Sequence, residues 1–232
     1  MKSRFMLLFL CVLWSRISVG GESPSSAQFQ EKYLSWKTYV QQSEIRMQST
    51  ARSWVENKYF KEIVDMGPPI LPLLVETMEK DPDARVLWHA IRQIGKVDIN
   101  GEYDKAAKRM RFHDYPDLKP GQEVYVEWWK TERLKTGDRF FAYYARLMEL
   151  NGRDQEQDKI RIFQEIEALG IPVLPYLMDY VNQFPEWIPI VSRLTDGAVS
   201  SNATADQCWA WWEKNQNRYK WDDDANVDIP GS

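Results

Sequence analysis

Hydrophobic residues recur every three or four positions along most of the chain, which is the spacing of one face of an α-helix. Over residues 28–48 this spacing is kept by Phe29, Tyr33, Trp36, Val40 and Met47. No alternation of polar and apolar residues is long enough to predict a β-strand. The pattern therefore predicts an all-α protein.

Glycine, proline and capping residues mark the ends of the predicted helices. We expect a helix over residues 50–66, ended by Gly67, and a new helix that begins at Pro68, since proline fits the first turn of a helix. Asp81 is expected to cap a further helix over residues 82–95. The later part of the chain is predicted to form helices over residues 138–150, 158–169, 172–181 and from 185 to 194.

One segment of the sequence occurs twice. MGPPILPLLVETM, at residues 66–78, recurs as LGIPVLPYLMDYV at residues 169–181. The recurrence of glycine, proline and leucine at a fixed offset is typical of stacked helical repeats. The matched pairs are Gly67 and Gly170, Pro69 and Pro172, Leu71 and Leu174, Pro72 and Pro175, and Leu74 and Leu177.

A second pair of segments shows where the two copies differ. VYVEWWK, at residues 124–130, matches QCWAWWE at residues 207–213, with a smaller offset than that of the first pair. The first copy must therefore hold extra residues, which we place at 96–120. The two copies are predicted to span about residues 28–137 and 138–221.

Residues 70–95, ILPLLVETMEKDPDARVLWHAIRQIG, resemble a HEAT repeat. The resemblance rests on Leu-Pro-Leu-Leu in the first helix, an Asp-Pro-Asp turn, Arg85-Val86 and a second helix that ends at Gly95. Residues 169–195 are similar more loosely, because they have Phe-Pro-Glu at the turn and no match to Arg85. The resemblance implies an α-α superhelix of antiparallel helix pairs in two related halves, from a family that mostly binds proteins and rarely catalyses.

The beginning of the chain has the pattern of a secretory signal peptide. Lys2 and Arg4 precede an apolar run at residues 5–14, which is too short to span a bilayer as a helix. We therefore predict an exported protein, periplasmic or secreted, with no membrane span in the mature chain. The predicted segments are a signal peptide at 1–21, a linker at 22–27, a helical domain at 28–221 and an acidic tail at 222–232.

The overall charge gives no indication of nucleic-acid binding. The net charge is −4, and the hydrophobic fraction of 44% is that of a folded protein. One stretch of the inserted segment combines basic and aromatic residues, a mixture that is frequent at the centre of protein–protein interfaces. We predict that these residues contact a partner protein: Lys108, Arg109, Arg111, Phe112 and Tyr115.

Eleven tryptophans are many for this length, and four of them form two adjacent pairs. Neighbouring side chains on an α-helix point about 100° apart, so one ring of each pair can face outward. Trp129 and Trp212 are the predicted outward rings, which would serve as aromatic platforms for sugar rings or peptide side chains. The alternative is that both rings of each pair are buried, which the matched positions of the pairs favour.

No residue pattern predicts a cofactor, and candidate metal and catalytic sites are weak. Acidic residues alternate at 98–104 and 222–228 as in a calcium loop, but the second segment lacks the usual glycine and closing glutamate. Solvated acidic segments are the preferred interpretation. His89 has no carboxylate three or four positions away, and Cys208 is expected to be a buried thiol. Asn202 begins an Asn-Ala-Thr glycosylation sequon.

We expect a non-catalytic exported scaffold that binds another protein and needs no cofactor. A carbohydrate or cell-wall binder that uses exposed tryptophan is the first alternative. A hydrolase or lyase whose catalytic groups meet only in the folded chain is the second.

Overall fold

The computed structural model describes residues 26–42, 51–97, 99, 121–150 and 155–221. Throughout these residues the regular elements are helical and strands are absent, which confirms the all-α prediction. In the same part of the chain, no helix combines the length and the apolar character needed to cross a membrane. The predicted signal peptide at 1–21 and acidic tail at 222–232 lie outside the described residues.

The first half is built from short helices, and the first of them begins inside the predicted linker. Two of these helices are preceded by a 3-10 turn, at Pro68–Ile70 and at Pro82–Leu87. The α-helices are α1 at Ser26–Val40, α2 at Ala51–Val55, α3 at Lys58–Val64, α4 at Leu71–Lys80 and α5 at Trp88–Gly95.

Helix α6, Gly121–Glu127, continues through a π-helical turn at Trp128–Glu132 and a 3-10 turn at Arg133–Lys135 into the next helix. The remaining α-helices are α7 at Thr136–Glu149, α8 at Glu156–Glu167, α9 at Leu174–Tyr180, α10 at Ile188–Leu194 and α11 at Ala205–Asn215. Further 3-10 turns lie at Ile171–Val173, Pro185–Trp187 and Gln216–Arg218.

The predicted continuous helix at 50–66 is wrong, because Asn57 interrupts it. The Asn57 side chain accepts a hydrogen bond from the backbone N–H of Phe60 and so caps α3. Its amide group also donates to the carbonyls of Ser53 and Trp54, at 3.2 and 2.8 Å. One side chain therefore ends α2 and begins α3.

Asp81 caps the next helical segment, as predicted. Its side chain accepts a hydrogen bond of 2.9 Å from the backbone N–H of Asp83. The segment that follows differs from the prediction in its winding, since residues Pro82–Leu87 form a 3-10 helix and only Trp88–Gly95 are α-helical.

The repeated sequence produces a repeated backbone. Gly67 has φ 74° and ψ −160°, and Gly170 has φ 75° and ψ −162°. This combination is accessible in practice only to glycine. Each glycine is followed by a 3-10 turn and then by an α-helix with a proline in its first turn.

The two copies meet at the second of these glycines. A Cβ atom at Gly170 would lie 2.3 Å from the carbonyl oxygen of Gly95 and 2.4 Å from the side chain of Val97. Helix α5 accordingly contacts the turn at Ile171–Val173. The backbones of the two halves are thus in direct contact, and the buried residues on both sides form one core.

Candidate functional site

A cleft of about 670 Å³ lies between the two halves, where four helices end. Helices α3 and α5 reach it from the first half, and α10 and α11 reach it from the second. Because short connecting segments form much of its wall, the cleft is a site of the kind at which recognition residues concentrate. The residues that line it include Gly67, His89, Arg92, Lys96, Asp196, Trp211, Asn215 and Arg218.

Arg218 lies against the backbone of Gly67 on the cleft wall. A Cβ atom at Gly67 would be 3.1 Å from a terminal nitrogen of the Arg218 guanidinium, so the bare glycine leaves room for this group. Next to it, the indole N–H of Trp221 donates to the carbonyl of Pro68 at 3.3 Å. The C-terminal turn is therefore anchored on the first copy of the repeat.

An ion pair joins the two halves beside the cleft. Lys96 Nζ lies 2.6 Å from Asp196 Oδ1. Both residues have a left-handed backbone, with φ of 55° and 53°, and no other non-glycine residue in the described part of the chain does. Each follows the end of a helix, where this conformation commonly terminates the helix. Since the Asp196 side chain is 75% exposed, the pair itself contributes little stability.

More cations than carboxylates line the cleft, although the whole chain is acidic. The cations are Arg92, Lys96 and Arg218, and the carboxylates are Asp65 and Asp196. Both carboxylates already have a cationic partner: Asp196 pairs with Lys96, and Asp65 lies 2.6 Å from Lys61. No carboxylate within the described residues lies at ion-pair distance from Arg218.

The only histidine among these lining residues is half-buried. The His89 ring stacks on Trp88, with 3.5 Å between the ring centroids. Burial, together with the positive charge of Arg92, lowers the pKa of the His89 imidazole below its usual value. His89 is therefore neutral near pH 7 and adds hydrogen-bonding capacity to the cleft without adding charge.

The prediction that Trp129 and Trp212 are exposed platforms is wrong, because each ring is only 4% exposed. Trp129 is covered by the edge of Trp221, at 5.1 Å between centroids, and by the guanidinium of Arg133 at 4.4 Å. Trp212 packs against Tyr219 at 5.8 Å. These rings stabilise the core and present no face to a ligand.

Trp211 is the tryptophan of the second pair that reaches the cleft. It is half-buried, lines the cleft wall and lies 5.8 Å from the Tyr219 ring. Its carbonyl accepts a hydrogen bond of 2.8 Å from the side chain of Asn215. Helix α11 itself is fixed by a capping box between Thr204 and Gln207. Burial of both rings of each pair, which the sequence favoured, is confirmed for Trp128 and Trp129, whereas Trp211 of the second pair is only half-buried.

The five basic and aromatic residues predicted to bind a partner lie outside the described residues: Lys108, Arg109, Arg111, Phe112 and Tyr115. The acidic stretches at 98–104 and 222–228 also fall outside, apart from Ile99. Among the residues that are described, no group of three or more His, Cys, Asp or Glu side chains is placed to hold a metal ion.

A second cleft, of about 590 Å³, is lined by Ile99, Glu132, Arg139 and Glu165 among others. Glu132 and Glu165 pair with cations, and Arg146 lies 3.2 Å from Glu165. Hydrogen bonds and charges from Lys135 and Arg139 lower the pKa of Glu132. A carboxyl group with a lowered pKa is a poor general acid near neutral pH, so Glu132 is not suited to that role.

Cys208 and Asn202 lie in opposite environments, one buried and the other exposed. Cys208 is fully buried, as expected, and burial raises the pKa of its thiol, which disfavours the reactive thiolate. Asn202 of the sequon is exposed in the turn before α11.

No protein-family model, curated protein or solved structure matches this chain.

Proposed function

We propose that this chain is a HEAT-like α-solenoid scaffold that binds another protein without catalysis. The observation that carries the proposal is the repeated backbone at Gly67 and Gly170, each followed by the same turn and the same proline-started helix. Such units cannot bury their apolar faces alone, and stacking them gives a continuous core. Folds of this kind serve chiefly as surfaces for recognition.

The proposed binding surface is the 670 Å³ cleft between the halves. Its volume is in the range of ligand sites, and its wall mixes charged and amide groups with one half-buried aromatic ring. The contact between Gly170 and Gly95 fixes the two sides of the cleft relative to each other. A fixed surface loses little entropy on binding, which favours a specific partner.

Two further predictions belong to the same proposal. The signal-peptide pattern at 1–21 implies that the partner is met outside the cytoplasm. The inserted segment at 96–120 remains a second candidate contact because of its arginine and aromatic content. The experiment must therefore separate the cleft from the segment.

The cleft can be filled by one substitution. Ala198 is exposed and lines the cleft, so Ala198→Trp should occupy part of it without disturbing the core. Affinity capture from the native exported fraction should return a defined partner with the unmodified chain and lose it with Ala198→Trp. Ala145→Trp, at an exposed position on α7, is the matched control and should retain capture.

A second variant tests the segment. Replacement of residues 98–120 by a short Gly-Ser link should leave capture intact if the cleft is the main surface. Loss of capture with this variant and not with Ala198→Trp would place the interface on the segment. A defined partner retained by both variants would rule out both surfaces.

A further inference from the structure

The charge on the cleft wall indicates what kind of partner it takes. The Arg218 guanidinium lies against Gly67 on the cleft wall and has no ion-pair partner within the described residues. A guanidinium presents paired N–H donors that match the two oxygens of a carboxylate. Arg92 stands in the same wall, and its charge reaches far enough to affect His89. The chain is acidic overall, so a positive cleft is a local feature.

The remaining groups of the wall suit a peptide better than a small ion. Gln93 and Asn215 supply side-chain amides, which can pair with the N–H and C=O groups of a peptide backbone. Trp211 adds a half-buried aromatic ring, against which an apolar side chain can pack. A single anion would need only the arginine and would leave most of the cleft empty.

We infer that the cleft binds an acidic segment of the partner protein, with a carboxylate of the segment on Arg218. The backbone of the segment forms hydrogen bonds with the side-chain amides of Gln93 and Asn215. One apolar side chain of the segment packs against Trp211. This inference rests on the proposed function and names the chemistry of the partner. It concerns the described wall of the cleft alone.

The test is a binding titration of the purified chain with a short fluorescent peptide. The peptide contains aspartate and glutamate around one phenylalanine, and a matched peptide has each acid replaced by its amide. The acidic peptide should bind at least about tenfold more tightly, since a hydrogen bond between charged groups is worth more than one between neutral groups. Its affinity should also fall as salt is added.

Arg218→Gln should weaken binding of the acidic peptide about tenfold and leave binding of the amide peptide nearly unchanged. Arg161→Gln is the matched control, because Arg161 is exposed on α8 and its ion pair with Asp158, at 2.6 Å, lies outside the cleft wall. It should leave both affinities unchanged. Helicity and melting temperature of each variant report whether the fold is intact.

Three results would overturn the inference: equal binding of both peptides, no effect of Arg218→Gln, or displacement of the peptide by equimolar free glutamate or inorganic phosphate. The last would identify a small-anion site. If the acidic peptide does not bind while Ala198→Trp still abolishes capture of the natural partner, the proposed function stands. Only the inference that the partner's segment is acidic would then be wrong.

Discussion

At the scale of single residues, the described glycines with positive φ, Gly67, Gly170 and Gly197, differ in their surroundings. Gly197, with φ 78°, has no atom within 4 Å of an added Cβ. Gly67 faces the end of a flexible arginine side chain, whereas Gly170 faces the backbone of Gly95. Substitutions at these positions should therefore differ in cost according to what the new Cβ atom meets.

Gly197→Ala should lower the free energy of unfolding by about 1 kcal/mol, because only the left-handed conformation opposes the new side chain. Gly170→Ala should cost several times more, since its Cβ would overlap a carbonyl oxygen that cannot move without parting the two halves. Urea unfolding of both variants measures the difference. Equal losses would mean that the halves are not in backbone contact.

Asp81 connects α1 to the turn of the first repeat. Its carboxylate accepts a hydrogen bond of 2.5 Å from the hydroxyl of Tyr33 and forms an ion pair with Lys37. The hydrogen bonds from Lys37 and Tyr33 lower the pKa of the Asp81 carboxyl group. Both partners of Asp81 lie on α1, so this carboxylate ties the first described helix to the turn between α4 and α5.

Asp81→Asn should cost about 1–2 kcal/mol near pH 7, because asparagine can still cap the helix but cannot pair with Lys37. The pKa of Asp81 is lower in the folded chain than its value of about 4 in the unfolded chain. The stability that the carboxylate contributes is therefore fully present above about pH 4 and is lost as the pH falls through the folded-state pKa. The native chain and the variant should therefore converge once the pH falls below the folded-state pKa of Asp81. Asp83→Asn is the comparison, because its carboxylate is 62% exposed and lies 3.8 Å from the same lysine, so its loss should cost less than the loss of Asp81. Unfolding curves across this pH range check both.

At the scale of elements, the sequence predicts where helices lie better than how they are wound. Glycine and proline at matched positions gave the two repeat turns, because those residues restrict the backbone directly. The break at Asn57 was missed, since hydrophobic spacing continues across it and the side-chain hydrogen bonds that end α2 leave no mark on the pattern. The 3-10 winding of Pro82–Leu87 was missed for the same reason.

The burial of the Trp pairs needed contacts that no local pattern contains. Trp128 and Trp129 begin a π-helical turn, which is wider than an α-helical one and brings successive side chains closer in direction. Trp129 is then covered by Trp221, more than ninety residues later in the chain. The prediction of an outward Trp129 assumed a regular α-helix and an uncovered surface, and neither is present there.

Leu74 tests the packing of the first helix pair. Its side chain is fully buried on α4, which packs against α5 and the turn before it. Leu74→Ala should lower the free energy of unfolding by about 2–5 kcal/mol through lost burial and the cavity that remains. Leu73→Ala, at the neighbouring and less buried position, should cost less. A loss below about 0.5 kcal/mol at Leu74, measured by urea unfolding, would contradict this packing.

At the scale of the whole molecule, the two halves share one core and a backbone contact, so they should unfold together. Long repeat arrays can unfold in parts, because each unit contacts only its neighbours. Here α5 and the turn at Ile171–Val173 join the copies directly. The unfolding of one half should therefore be coupled to the unfolding of the other.

Thermal unfolding should follow one transition, with the same midpoint by far-ultraviolet circular dichroism and by tryptophan fluorescence. Leu74→Ala in the first half and Leu177→Ala in the second should each shift that single transition downward, since both leucines are fully buried. Two separated transitions in either variant would show that the copies are independent domains. A strong β-sheet signal would contradict the architecture itself.

The close approach of Gly170 to Gly95 also has a kinetic consequence. Because two backbones touch there, the cleft beside them has no room to close over a ligand by moving one half toward the other. Encounter and binding should then be a single step, with an observed rate that rises in proportion to ligand concentration and never levels off. Residence time would depend on the contacts in the cleft and not on the opening of a lid.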